Sequence, residues 1–322
     1  MPTPSAPPAE AIGRFRSDLE RLIGPAPDVR IGVAVSGGPD SLALLRLACA
    51  ALPGRVAAAT VDHGLRREAA EEAATVARHC AALGVPHAIL GPEPLAPGNV
   101  QQEARRLRYR LLARWAEAEG LPFVAVAHHR DDVAETFLMR ALRGSGVTGL
   151  ARMAARAPMP DVGTTVQLVR PLLDWSRAEL AALAPDGADD PSNRDPRYDR
   201  ARIRALLAAT PELAPEPLAR AATNLAEANE ALEWLADQAW RSRATVGDDG
   251  ISIDVTDLPD ETRRRLAARA IGTLAPLWSS EGLDRLVATL EQGKGGTLAG
   301  VRARAVDGTW HFRVAPARRT HC

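Results

Sequence analysis

Residues 35–41 read Val-Ser-Gly-Gly-Pro-Asp-Ser, which sets two hydroxyls and one carboxylate around a pair of glycines. Gly37 and Gly38 let the backbone turn tightly and aim several N–H groups at one point, forming a nest for an anion. Ser36 and Ser41 add hydroxyl donors, and a helix starting at Pro39 adds the positive end of its dipole. Together these suit a polyphosphate. Asp40 would repel a bare phosphate, so its presence points to a Mg²⁺ ion bridging carboxylate and phosphate oxygens. The plainer reading is a glycine turn with Ser36 as a helix cap. A Walker A loop is excluded, because GxxxxGK[ST] does not occur.

Three further groups of residues are chemically notable. Asp62 and His63 lie together in Thr-Val-Asp-His-Gly, where capping the next helix is the alternative. Arg105 and Arg108 are spaced i,i+3 and can share one helix face, either to hold a phosphate or as an exposed basic face. In His128-His129-Arg130-Asp131-Asp132-Val133-Ala134-Glu135, the acids Asp132 and Glu135 also share a face at i,i+3. Such acids are either a solvated first turn complementing the dipole or ligands for a metal. Adjacent histidines point apart, so one of the two faces any site, and His129 is favoured as the donor to phosphate.

The elements that would carry these groups can be read from apolar patterning. Helix periodicity spans 11–23, after a flexible tail at 1–10. Apolar runs at 30–35, 56–61, 87–90 and 122–127 read as buried strands, with helices expected over 39–51, 67–83, 100–119 and 131–142. Strands alternating with helices at this spacing predict an α/β fold with a parallel twisted sheet and helices on both faces. Ligands of such sheets lie beyond the carboxyl ends of the strands, and the segments 36–41, 62–63 and 128–132 each follow a strand directly. From about residue 210 the pattern becomes a leucine periodicity. Helices near 259–273 and 281–292 and β-like runs over 297–314 predict a smaller, mainly helical second domain with short terminal strands. The expected domains are therefore 11–209 and 210–322.

Composition limits the function classes. Formal net charge is zero, so there is no global basic field, although arginines cluster at 105–114 and 194–204. Three scattered cysteines form no CxxC pair, which removes the usual zinc and iron–sulfur spacings and suits a reducing compartment. No secretory h-region and no apolar stretch of membrane-spanning length is present, so a cytoplasmic location is expected.

The 36–41 string resembles the phosphate loop of the PP-loop (N-type) ATP pyrophosphatases. Residues 60–66, Asn99 to Gln101 with Ala104-Arg105-x-x-Arg108-Tyr109, and 127–136 running on to Arg143-Gly144-Ser145-Gly146 resemble, in order and spacing, the signatures of the tRNA(Ile)-lysidine synthase family. Arg170-Pro171-Leu172-Leu173 and Asp190-Pro191-Ser192-Asn193 extend the likeness, which spans about 28–205. Asp189 stands where the family often carries Glu, and the chain looks like a short form without the further C-terminal domain of longer members. The resemblance implies a Rossmann-like, adenine nucleotide alpha hydrolase-like fold and an ATP-dependent, AMP-forming carbon–nitrogen ligase. Its partners would be free L-lysine and a tRNA(Ile) with a CAU anticodon, bound in part by the 210–322 domain. It implies attack of the wobble cytidine on ATP, then of lysine on the adenylated base, which changes decoding from AUG to AUA. The site expected on these grounds has Asp40, Arg105, His129 and Asp132 as catalytic residues. Ser36, Gly37, Gly38, Pro39, Asp40, Ser41, Asp62, His63 and Arg108 would hold ATP, and Asp40, Asp132 and Glu135 would hold Mg²⁺. Asp132 or Asp190 would orient the lysine ammonium and accept its proton. A tRNA thiolase of the same superfamily is disfavoured by the unpaired cysteines, a small-molecule amide synthetase by the arginine clusters, and a non-enzymatic nucleotide-binding module by the full set of loop side chains.

Overall fold

The computed structural model describes residues 6–25, 28–62, 68–91, 100–160, 163–187, 197 and 199–315. The expected apolar runs become β1 (Ile31–Ala34), β2 (Val56–Val61), β3 (His87–Leu90) and β4 (Phe123–Ala125). The helices between them are α2 (Pro39–Ala51), α3 (Glu68–Ala82), α4 (Val100–Ala118) and α5 (Arg130–Ala141), preceded by α1 (Ala9–Ile23). Residues that patterning left unassigned add a short helix α6 (Val147–Leu150), β5 (Arg156–Pro158), β6 (Gln167–Val169), α7 (Arg177–Leu183) and α8 (Asp199–Ala209). The three-residue strands are too short to show a period, which is why alternation does not reveal them.

These strands form one six-stranded sheet in the order β3-β2-β1-β4-β6-β5, parallel except for the edge strand β5. Period-two alternation separates its faces. Ile31, Val33 and Ala58 pack with Phe15 and Leu19 of α1, Leu42 to Ala48 of α2, Val76 of α3 and Leu180 of α7. Ala57, Ala59, Val124 and Leu168 pack with Tyr109, Leu112 and Ala116 of α4. The chain runs outward from β1 through β2 to β3 on one side, and through β4 to β6 on the other. The switch point therefore lies between β1 and β4, and their following loops open a crevice at the carboxyl edge.

Compactness divides the chain into residues 1–225 and 226–322. The division falls within α9 (Pro215–Arg243), later than the break near 210 suggested by composition. Ala219 and Ala222, in the first turns of α9, pack against Val133 of α5 and Leu173, which ties that end of the helix to the first unit. The second unit holds the rest of α9, then β7 (Ala244–Gly247), β8 (Gly250–Asp254), α10 (Asp260–Leu274), α11 (Leu283–Glu291), β9 (Gly295–Leu298), β10 (Val301–Val306) and β11 (Thr309–Val314). The helices and terminal strands are as expected. The sheet is larger than expected, because the 244–254 hairpin joins it to give the antiparallel order β7-β8-β11-β10-β9. Ile251, Ile253, Trp310 and Phe312 bury its inner face against Leu266, Ile271, Leu286 and Leu290. Among the described residues no helix is long and apolar enough to cross a membrane.

The glycine at 32 lets β1 lie close under α4. A Cβ there would sit 2.7 Å and 2.9 Å from two ring carbons of Trp115, inside van der Waals contact. Gly32→Ala is expected to overpack this layer and cost about 1–3 kcal/mol in a denaturant titration. Pairing it with Trp115→Leu recovers part of that loss; if the single variant is as stable as the parent, the packing argument is wrong.

Candidate active site

The loop after β1 turns through Gly37 at φ +89°, a conformation that favours glycine. Gly38 then caps α2 with extended backbone and Pro39 occupies the first helical turn. The Ser41 hydroxyl is internal to the loop: it donates to the Gly38 carbonyl at 3.0 Å and accepts from the Ser36 N–H at 3.1 Å. The Ser36 hydroxyl lies 3.3 Å from it and is exposed. Both serines were expected as phosphate donors. In this geometry Ser41 braces the nest, and Ser36 presents its hydroxyl outward.

A second brace comes from the segment after α7. Arg46 of α2 is buried, donates to the Leu183 carbonyl at 2.8 Å, and contacts both carboxylate oxygens of Asp186 at 2.6 Å. Gly187 then passes so near the loop that a Cβ would lie 2.4 Å from Pro39 Cα. The acidic Asp189-Asp190-Pro191-Ser192-Asn193 stretch that follows lies outside the described residues, as does His63. Asp62 ends β2 at the same carboxyl edge, its N–H donating to the Leu90 carbonyl at 3.0 Å.

Across the switch point, His129 begins α5 and is 1% exposed. Its Nε2 lies 3.4 Å from Asp40 and 3.6 Å from Asp132, and its Nδ1 lies 3.6 Å from Asp131. Burial alone would lower the imidazole pKa, but the hydrogen-bonding and charges of Asp131, Asp40 and Asp132 outweigh it and raise the value from 6.5 to about 9. His129 is thus a buried imidazolium facing acids. It was expected to donate to phosphate or to developing negative charge; in the structure three carboxylates converge on its ring.

The acids of α5 are also held. Burial would raise Glu135, but Arg204 and Arg200 lower it to about 2. Its oxygens accept from Arg177 at 2.8 Å, Arg200 at 2.7 Å and Arg204 at 2.8 Å. Asp132 accepts from Arg200 at 2.6 Å and from the His129 N–H at 3.1 Å. Asp131 accepts from the Arg177 N–H at 2.9 Å, and its contact with His129 is the main influence opposing burial and holding it at about 2. Glu135 and Asp132 were expected to bind a metal. Both oxygens of each accept hydrogen bonds from the protein here, so a cation would share these carboxylates with Arg177, Arg200 and Arg204. Among the described residues no cluster of three or more His, Cys, Asp and Glu side chains is set to hold a metal. Asp40 differs, since its Oδ1 is shielded from solvent and has no hydrogen-bond partner among the described residues. One carboxylate fits Mg²⁺, which keeps waters and takes substrate phosphates as its other ligands.

His128 belongs to a different environment. Burial, then the charges of Arg170, Arg108, Arg200 and Arg105, hold its pKa well below the ordinary imidazole value, so it is neutral. The Arg105 and Arg108 guanidinium carbons lie 4.9 Å and 5.4 Å from the centre of the Tyr109 ring. Burial lowers Arg108 and Arg170 in turn. His128 Nδ1, the Tyr109 hydroxyl and Arg170 Nε have no hydrogen-bond partner among the described residues. This is a cationic wall with buried donors that an anion could engage. Arg105 and Arg108 therefore lie together as expected, joined by His128, Tyr109 and Arg170, whose part spacing alone did not single out. Arg177 was also missed. The Ser176-x-x-Glu179 capping box marks its helix start and could have revealed it.

A PP-loop domain model matches residues 13–210, so this span is a PP-loop domain. The tRNA(Ile)-lysidine synthase of Novosphingobium aromaticivorans is 43% identical over 317 residues, covering 96% of this chain and 95% of that protein. That of Zymomonas mobilis is 40% identical over 313 residues, covering 95% and 94%. The chain belongs to the tRNA(Ile)-lysidine synthase family of ATP-using ligases. Among solved structures, the U34-tRNA thiolase NcsA from Methanococcus maripaludis, with its 4Fe-4S cluster, matches at 19% identity and a TM-score of 0.53. That likeness covers 67% of this chain and 80% of that one, and it speaks to the fold alone.

The charge network dictates a pH response. His129 is raised from 6.5 to about 9, so its stabilisation is complete below pH 6.5 and is lost as pH rises through 9. Asp131 and Glu135 are lowered from 3.8 and 4.5 to about 2, so theirs is complete above pH 4.5 and is lost as pH falls through 2. An NMR titration of the His129 ring is expected to show it protonated at neutral pH, with Asp131→Asn lowering its midpoint. Glu135→Gln is expected to cost about 2–3 kcal/mol of unfolding free energy, the low end for a broken buried pair because its arginines keep solvent contact. A midpoint near 6.5 and an unchanged Glu135→Gln stability would contradict the network.

Proposed function

We propose that the chain joins the ε-amine of free L-lysine to C2 of the wobble cytidine in the CAU anticodon of tRNA(Ile). ATP is cleaved to AMP and pyrophosphate, and decoding changes from AUG to AUA. The tRNA(Ile)-lysidine synthases that are 43% and 40% identical over nearly the whole chain support lysidine formation on this tRNA. The observation that carries the chemistry is the shielded, unpartnered Asp40 Oδ1 beside the glycine nest.

The chemistry proceeds in two displacements. The cytidine O2 attacks the α-phosphorus of ATP, pyrophosphate leaves, and the base is activated as an adenylate. The lysine amine then attacks C2, and AMP departs with the former O2. A base must leave the stack to be reached in this way. Gly37, Gly38 and the α2 N-terminus receive the pyrophosphate portion, with Pro39 fixing the helix start and Ser41 holding the nest in shape. Asp40 would hold Mg²⁺, which neutralises phosphate charge when bound. Arg105 and Arg108, with neutral His128, stabilise charge on the α-phosphate or the nearby RNA. Asp62, with His63, borders the nucleotide from the β2 edge.

His129 acts through Asp40 and Asp132 as a positioning residue. The lysine ε-amine has an ordinary pKa near 10.4 and must lose a proton before attack. Asp132 already serves Arg200 and His129, so of Asp132 and Asp190 the latter is the better candidate to orient the ammonium and take that proton. The reaction is placed in the cytoplasm, where unpaired thiols and tRNA coexist.

The test is incorporation of labelled lysine into a CAU-anticodon isoleucine tRNA with ATP. The parent protein is expected to label the tRNA and release pyrophosphate. Asp40→Ala, with an unchanged melting curve, is expected to lose both by at least ~100-fold. Absence of labelling by the parent removes the reading. Full activity in the variant removes the metal-holding role of Asp40.

A further inference from the structure

The solvent face of the second unit's sheet carries an uncompensated positive ridge. In register, Arg302 of β10 lies opposite Arg313 of β11, and Arg304 lies opposite His311. The three arginines are exposed, and no ion pair or hydrogen bond of their side chains is present among the described residues. Directly opposed like charges on one sheet face are destabilising. Charges on a sheet commonly guard its edges. Here the order is β7-β8-β11-β10-β9, so the arginines lie on inner strands, while the edge strands offer Thr245, Thr297 and Gly295 to the same face. Edge protection does not explain them.

The flanking surface is small and polar. Thr297 and Gly295 pair beside Arg302 and Arg304, and Ser252 pairs beside His311, with its hydroxyl 2.9 Å from the His311 Nδ1. The one acid in the face's strands, Asp254, lies at the end of β8 and is 3.5 Å from Arg243. The other acids of this unit lie in helices, in turns or beside them, and several hold arginines there: Glu261 pairs with Arg264 and Arg265, Glu233 with Arg265, and Asp237 with Arg269. Positive charge is thus concentrated on the flat sheet face, where, among the described residues, three unpartnered arginines share two adjacent strands. Positions two apart on one strand are separated by about 6.8 Å, so the ridge offers a two-by-two grid of three guanidinium groups and one imidazole, flanked by hydroxyls. No bulky apolar side chain projects there except Val306, which argues against insertion into a lipid surface.

We propose that this sheet face docks the phosphodiester backbone of RNA, with Arg302, Arg304, Arg313 and His311 contacting phosphates. Its contacts are to phosphates, which fix the position of the polynucleotide and carry no sequence information directly. The proposal rests on the tRNA reading given above and names a binding surface for that substrate.

The test compares the full chain with Arg302→Gln/Arg313→Gln and with Arg285→Gln, an exposed control on α11. Affinity for isoleucine tRNA is followed by fluorescence anisotropy between about 50 and 200 mM KCl. The double variant is expected to bind several-fold more weakly, with the salt slope reduced by about 1–2, and to raise KM for tRNA at unchanged kcat. Its melting temperature should be equal or higher, since two opposed charges are removed. The control should match the parent. Equal affinity and slope in the double variant overturn the proposal, as does loss of binding confined to anionic phosphatidylserine vesicles. Failure of the functional reading looks different: the parent would then bind tRNA through this face yet incorporate no lysine.

Discussion

A buried imidazolium ringed by carboxylates holds the first unit's site together. His129 bridges the two strands that flank the switch point: it belongs to the loop after β4, while Asp40 belongs to the helix after β1. A neutral ring there would leave Asp40, Asp131 and Asp132 repelling one another in a shielded place, which is costly at low effective dielectric. The protonated ring turns that repulsion into attraction. It follows that α5 must begin where it does, and that its next acid, Glu135, needs cations of its own. Arg177 from α7 and Arg200 and Arg204 from α8 supply them. Elements far apart in the chain are thereby fixed by one alternating arrangement of charge.

The same arrangement explains a neutral protein with a strongly polarised site. Net charge is zero, but the carboxyl edge of the sheet is divided. Acids gather around His129, and arginines gather around His128, one residue away. Adjacent residues point apart, so a dipeptide of identical side chains reaches two environments of opposite sign. One ring is charged and the other neutral, which neither composition nor spacing distinguishes.

That contrast also marks how far the sequence could be read. The parallel sheet, the helix starting at Pro39 and the carboxyl-edge position of Asp62 and Asp132 follow from apolar runs and glycine punctuation, and the structure has them. The strands at 156–158 and 167–169 were not legible, because three residues show no alternation and their identity comes from pairing, of β6 with β4 and of β5 with β6. The roles of Glu135 and Ser41 were not legible either. Their types are those of ligands, and only the position of Arg200, Arg204 and the Gly38 carbonyl shows that their hydrogen-bonding capacity is already used. The separation of His128 from His129 was anticipated in principle, but which ring faced which charge depended on arginines 20 residues before and 40 after in the chain.

What remains unused by the fold is the informative part. A shielded charged oxygen without a partner costs about 1–3 kcal/mol or more, so a protein retains one only where something else compensates. Among the described residues Asp40 Oδ1 is such an atom, and it lies next to a nest whose own hydroxyl is bonded internally and beside which Gly187 passes closely. The surrounding supports are complete: Ser41 closes the loop, Arg46 and Asp186 fix the passing strand of chain, and His129 holds the second Asp40 oxygen. These supports are contacts within the protein itself, so they hold the loop's shape from its own side chains. Binding energy is then available for orienting reactants rather than for ordering the protein. An incomplete centre inside a completed frame is the physical signature that separates this loop from an ordinary glycine turn.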